Sequence, residues 1–189
     1  WQKGNGVWLM RRKITVTLII IVCFLLQSTL FKELSFASIS PNLLIVVCAS
    51  FGFMRGRKEG IFIGFFSGLL IDIFFGEMIG FYALLYMYAG FLNGCFKKMF
   101  YPDDIKLPML LIAGSDLSYN LFIYFFRFLF RKQFAIGYYM LHIIIPELVY
   151  TLLISVVLYF IILKINQRLE RIEKRSAAKF VWYTERNTS

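Results

Sequence analysis

Ser67, His142 and a few carboxylates are the side chains of this sequence whose chemistry could go beyond packing. A serine activated by a histidine base on another helix would give an intramembrane serine protease. The stretch "GFFSG" at residues 64–68 and the one histidine of the chain supply those two groups. The spacing is not G-x-S-G, however, and Ser67 reads more simply as a small packing residue. The sequence has no H-E-x-x-H pair for zinc, no P-loop and no glycine turn cradling phosphate. Cys23, Cys48 and Cys95 lie in apolar runs without paired spacing. They read as buried small hydrophobes, neither a disulfide framework nor metal ligands. No catalysis, cofactor or metal is expected.

The carboxylates are more informative. Asp72 stands inside the apolar run "GIFIGFFSGLLIDIFFG", residues 60–76, directly after the charged burst "RGRKEG". Every fourth residue of that run is Gly60, Gly64, Gly68, Asp72 and Gly76, so one helical ridge holds glycines and a single acid. In lipid, helices associate through close backbone contact at small residues, and Gly90 with Gly94 repeats the spacing further on. Packing inside a bundle is the expected use of this ridge; an interface with another membrane protein is the alternative. Asp116 and Asn120, one turn apart, form a second polar stripe suited to hydrogen bonding between helices.

These residues need helices to position them, and the composition says where those helices lie. Of 189 residues, 59% are hydrophobic and 19% aromatic, with a mean hydropathy of +0.69. Such a chain belongs in a bilayer, and at about 20 residues per crossing little is left for a soluble domain. The formal charge of +10 does not indicate nucleic acid, because the bases gather at the ends of apolar runs. Six apolar segments stand out, at about 14–31, 42–54, 60–75, 79–96, 107–130 and 143–163. The second is short, so it either starts nearer Ala37 with Pro41 in its first turn or forms a re-entrant hairpin.

Basic residues are retained on the cytoplasmic side, and this decides between those readings. Six crossings with the N-terminus inside place Arg11, Arg12, Lys13, Arg55, Arg57, Lys58, Lys97, Lys98, Lys106 and the basic tail together. Only Lys32, Arg131 and Lys132 fall outside, with Arg127 near the outer end of the fifth helix. Both termini are therefore expected in the cytoplasm of a multi-pass protein of the plasma membrane. Met10 followed by three bases reads as a start, with residues 1–9 an upstream extension or a remnant of cloning; a signal peptide is the competing reading. Residues 10–164 form the transmembrane domain. Residues 165–189 form a basic tail that continues the sixth helix near anionic headgroups, or docks a cytoplasmic partner.

This topology gathers Asp72, Glu77, Arg127, His142 and Glu147 in the outer leaflet. Buried charge is costly in lipid, so these groups face protein or a wet cavity. Ion pairing of Arg127 with Asp72 or Glu147 is expected; a polar pocket for a ligand or a partner segment is the functional alternative.

Residues 41–94 resemble the MreD family of bacterial rod shape-determining membrane proteins. The resemblance rests on Pro41 and Asn42, "RGRKEG" at 55–60, "GLLIDIFFG" at 68–76 and "GFYALLYMYAGFLNG" at 80–94, with Gln27 in the first helix. It implies an all-α six-helix fold similar to the substrate-binding subunits of energy-coupling-factor vitamin transporters. It also implies a non-enzymatic scaffold for cell elongation and peptidoglycan synthesis. The implied partners are an MreC-like bitopic protein and, through it, an MreB-like actin, a RodA-like glycosyltransferase and a class B penicillin-binding protein. The family pattern falls on Pro41, Asn42, Arg55, Gly56, Arg57, Glu59, Gly60, Gly64, Gly68, Asp72, Gly76 and Gly80. Physically, Arg55, Arg57 and Lys58 anchor a cytoplasmic turn, and Glu59 pairs with one of them or caps the third helix. Asp72 is expected to be a hydrogen-bonding or ion-pairing post beside a glycine groove. A vitamin-binding transporter subunit is the alternative function, weakened because the first helix lacks the A-x-x-x-A coupling face of that class.

Overall fold

The structure is a computed structural model describing residues 3–30, 40–76, 78–100, 105–131, 137 and 140–188, with side chains for 10–29, 40–76, 78–100, 105–126, 137 and 140–175. Six helices account for nearly all of it. Helix α1 covers Lys3–Leu25 and ends in a π-turn, Leu26–Leu30. Helices α2, Leu43–Arg55, and α3, Arg57–Phe75, meet at Gly56. Helix α4 covers Phe81–Cys95 and runs into a 3₁₀ turn, Phe96–Met99. Helix α5 is Lys106–Arg131, and α6 is Ile145–Thr188, entered through a π-turn at Met140–Ile144. No strand occurs among the described residues.

Helix α2 is the axle of the bundle. Every residue from Leu43 to Met54 is buried, as expected of a helix apolar all round. Thirteen residues span only about 20 Å, so its orphan N-terminal amides need partners inside the protein. They find them on three sides. Asn42 Oδ1 accepts from Ile45 N at 3.3 Å, Gln27 Oε1 of the π-turn after α1 from Leu44 N at 3.2 Å, and Thr151 Oγ1 of α6 from Asn42 N at 3.2 Å. At the other end the chain reverses at Gly56, whose φ of 102° suits glycine.

The contacts fix alternating directions. Arg12 of α1, Arg55 at the end of α2, Glu59 at the start of α3 and Glu173 of α6 meet at one end. Gly94 of α4 reaches the same end, against Arg57. Gln27, Asn42, Asp72, Gly80 and Thr151 mark the other. Thus α2 runs back along α1, and α2 with α3 forms an antiparallel pair.

The glycine ridge lies inside the bundle. A Cβ at Gly60, Gly64 or Gly68 would strike the α4 backbone at Gly90, Tyr86 and Ala83, respectively. Backbones in contact at small residues are what lipid-embedded helices use where the hydrophobic drive is weak.

Among the described residues, three helical stretches are long and apolar enough to cross a membrane: Met10–Thr29, Lys106–Phe126 and Met140–Arg175. Helix α2 is apolar but shorter. Large apolar side chains cover the outside as well, among them Ile14, Phe62, Ile73, Leu84, Leu110, Leu153 and Val157. An apolar coat around an already filled core is the surface of a membrane protein.

Candidate functional site

Asp72 sits on the last full turn of α3, 2% exposed. The chain turns within a few residues through Gly76 and Gly80, whose φ of 101° is again a glycine conformation, and starts α4 beneath the carboxylate. Three amides then converge on it: Gly80 N at 3.0 Å and Ala83 N at 2.9 Å donate to Oδ2, and Tyr82 N at 2.9 Å to Oδ1. A negative charge at the positive end of a helix, bonded to its unpaired amides, is doubly favourable. Asp72 is therefore the cap of α4, supplied from the neighbouring helix. Gly76 closes α3, donating from N to Asp72 O at 3.1 Å.

At the opposite end lies an ion-pair network that joins four helices. Arg12 bonds Glu59, and reaches Glu173 at 3.5 Å. Arg55 Nη1 reaches both oxygens of Glu173, at 3.0 and 3.1 Å, and its Nε donates to Asn166 Oδ1 at 2.6 Å. Asn166 Nδ2 in turn donates to Glu170 at 3.1 Å. The expected partners of Glu59 thus need correction: its ion pair is to Arg12 of α1, because the alternating directions bring that residue to the head of α3. Arg57 instead lies over the Phe91 ring of α4, 5.7 Å from its centroid.

The third region is a polar interior shared by α4, α5 and α6. Tyr86 OH donates to Asn42 Oδ1 at 2.7 Å, and Asn42 N leads on to Thr151. The Tyr86 and Tyr119 rings meet edge to face at 5.2 Å. Thr151 also stands beside Asp116, which is fully enclosed, yet neither carboxylate oxygen closes a hydrogen bond of standard geometry with a described residue. Glu147 lies within electrostatic reach of Asp116 and alongside Asn120, whose Nδ2 is likewise without such a bond.

A groove of about 380 Å³ opens between α4 and α5, lined by Leu85, Asn93, Ser115, Ser118, Tyr119 and Phe122 among others. Asn93 Nδ2 bridges it to Ser115 Oγ at 2.6 Å.

Of the residues singled out from sequence, Gly64 and Gly68 lie together against α4, and Arg55 and Glu59 join one network. Asp116 and Glu147 share the polar interior. Asp72 and Glu147 do not share a site: the Asp72 carboxylate is occupied by three amides of α4. The side chain of Arg127 and all of Glu77 lie outside the described residues, and with them the ion pairs expected of Arg127. Sequence reasoning missed Glu173, Asn166, Tyr86 and Thr151. Glu173 and Asn166 were read only as part of a basic tail, although a carboxylate seven residues beyond an asparagine places both on one helical face.

The family described as rod shape-determining protein MreD matches residues 10–169. No curated protein and no solved structure matches the chain.

Proposed function

The chain belongs to the MreD family of rod shape-determining proteins, and from that premise we propose that it works as a non-enzymatic scaffold in the plasma membrane. Its task is to bind an MreC-like bitopic protein and so to join the cell-elongation complex that builds peptidoglycan. Through that partner it communicates with an MreB-like actin, a RodA-like glycosyltransferase and a class B penicillin-binding protein.

In this reading all six helices cross, α2 and α4 being short ones sheltered by their neighbours, and both termini are cytoplasmic. The end that holds Arg11, Arg12, Lys13, Arg55, Arg57, Lys58, Lys97 and Lys98 is the positive one, which supports a cytoplasmic assignment.

The observation that carries the proposal is the four-helix ion-pair network. It sits where α6 leaves the bundle, so a partner that grips the projecting helix pulls on α1, α2 and α3 together. A scaffold that transmits a conformational signal needs such a rigid joint; the arrangement of Asp72 adds a second clamp between α3 and α4.

Co-purification in mild detergent with the MreC-like protein of the same host tests this. A stoichiometric complex that survives size exclusion is the expected result. Two proteins that elute separately under conditions where each remains folded would overturn it.

A further inference from the structure

The two sides of α4 are packed in opposite ways. One is sealed: Gly90 and Gly94 stand so close to α3 that a Cβ on either would strike its backbone. The other carries Leu85, Ala89, Asn93 and Phe96 at helical spacing and forms a wall of the groove toward α5. The facing wall is Leu110, Gly114, Ser118 and Phe122, every fourth residue and therefore one ridge of α5. From Leu85 to Phe96 and from Leu110 to Phe122 these walls are about 17 and 18 Å long. The groove thus runs lengthwise between two helices, with bulky residues at its ends and small ones in its middle.

Two independent features say what it takes. Gly114 and Ser118 are small, four apart and exposed, and a Cβ at Gly114 would meet nothing within 4 Å. The same spacing at Gly60, Gly64 and Gly68 is filled by the backbone of a neighbouring helix, which is the use of such a stripe in lipid. The second feature is Asn93, a groove residue that is 1% exposed. Its Nδ2 donates to Ala89 O at 2.7 Å and to Ser115 Oγ at 2.6 Å, while its Oδ1 makes no standard hydrogen bond with a described residue. An amide oxygen left so in an apolar wall is costly. A lipid tail has no donor to offer it; a helix carrying a polar side chain has.

We propose that this groove receives the single transmembrane helix of the bitopic partner. The inference rests on the scaffold reading and adds to it the place where the partner docks. The incoming helix lays a ridge of side chains between Leu110 and Phe122, as ridges enter grooves, and its backbone closes on Gly114. It carries small residues on that face and one donor, a serine, threonine, asparagine or glutamine, level with Asn93. In the proposed topology that level lies in the inner leaflet, since Gly94 reaches the cytoplasmic end of the bundle. A two-fold dimer of this chain through the same face would set one concave wall against another and fill neither.

Photo-cross-linking of the full chain, co-expressed with the MreC-like protein of the same host, tests the location. Benzoylphenylalanine replaces Tyr88 or Phe122 of the groove, or, as controls, Phe62 of α3 or Phe160 of α6, all four exposed aromatics. Expected are adducts from Tyr88 and Phe122 that map to the partner's transmembrane helix, and none from the controls. Gly114→Leu, which fills the groove from its floor, should weaken the complex at least tenfold and leave the melting midpoint of the isolated chain unchanged, because its Cβ has open space. A partner whose transmembrane helix is replaced by polyleucine should bind at least tenfold more weakly. Partner adducts from the control positions in place of the groove, groove adducts with lipid or a second copy alone, or full binding by Gly114→Leu or by the polyleucine partner would each overturn the proposal. If Gly114→Leu fails to fold, the cross-links and the polyleucine partner decide. A native complex that shows any of these contrary results leaves the scaffold reading standing and removes the groove from it. Two folded proteins that form no complex overturn both.

Discussion

The α2–α3–α4 half and the α5–α6 half of this bundle are built by different rules. In the first, glycines bring backbones into contact, and a buried aspartate, Asp72, is satisfied by three amides. In the second, a groove separates α4 from α5, a Cβ at Gly114 would meet nothing within 4 Å, and the buried Asp116 has no standard hydrogen bond. The first half is closed by backbone contact, although Ser67 Oγ and Asn93 Oδ1 in it also lack standard hydrogen bonds among the described residues. The second keeps space and, among the described residues, a buried carboxyl without a standard hydrogen bond.

The sharpest way to break this contrast is to make a glycine larger in each half. Gly68→Leu should prevent the close seating of α3 on α4, since its Cβ would strike the Ala83 backbone. Loss of the monodisperse peak in detergent, a cost above about 4 kcal/mol, is the expected outcome. The contrast fails if the variant purifies and melts normally.

Next in size come the two aspartates. Asp72→Asn removes the charge and turns one acceptor into a donor facing amides, which should cost about 2–3 kcal/mol and lower the melting midpoint by several degrees. Asp116→Asn should cost little, because neither of its carboxyl oxygens makes a standard hydrogen bond to a described residue. Equal losses from both would erase the distinction drawn here.

A smaller effect is expected at the ion-pair network. Glu173→Gln weakens the contacts with both Arg12 and Arg55 while keeping the shape, at about 1 kcal/mol. The effect should shrink at high salt; an effect independent of salt would point to lost packing instead. Smallest is Gly114→Ala, expected to raise the midpoint slightly through helix propensity, by under about 1 kcal/mol.

Much of this was legible in the sequence. Hydropathy located six helical segments, although α1 begins earlier, at Lys3, and α6 runs on to Thr188, and the fourfold spacing of Gly60, Gly64 and Gly68 identified the tight face before any neighbour was known. The stripe of Asp116 and Asn120 was visible for the same reason: ionisable residues stand out against an apolar run. The capping role of Asp72 was harder to read, because it depends on the turn at Gly76–Gly80 returning α4 directly beneath α3. The short link was a usable clue; the geometry of the amides was not. The Arg12–Glu59 pair joins residues 47 apart, and charge counting placed both at one end without saying which base would meet which acid. The brevity of α2 suggested a re-entrant loop as one reading. A helix buried on every face from Leu43 to Met54 is better understood as walled in by protein, so that lipid thickness does not set its length.

That enclosure bears on how the protein is made. The amide of Asn42 rests on Thr151, 109 residues later. A ribosome completes α2 long before α6 exists, so the centre of the bundle stays unsealed until the last segment arrives. Biogenesis therefore ends with the closing of an axle from outside, and a chain cut short before residue 151 would expose α2 to the quality-control machinery of the membrane.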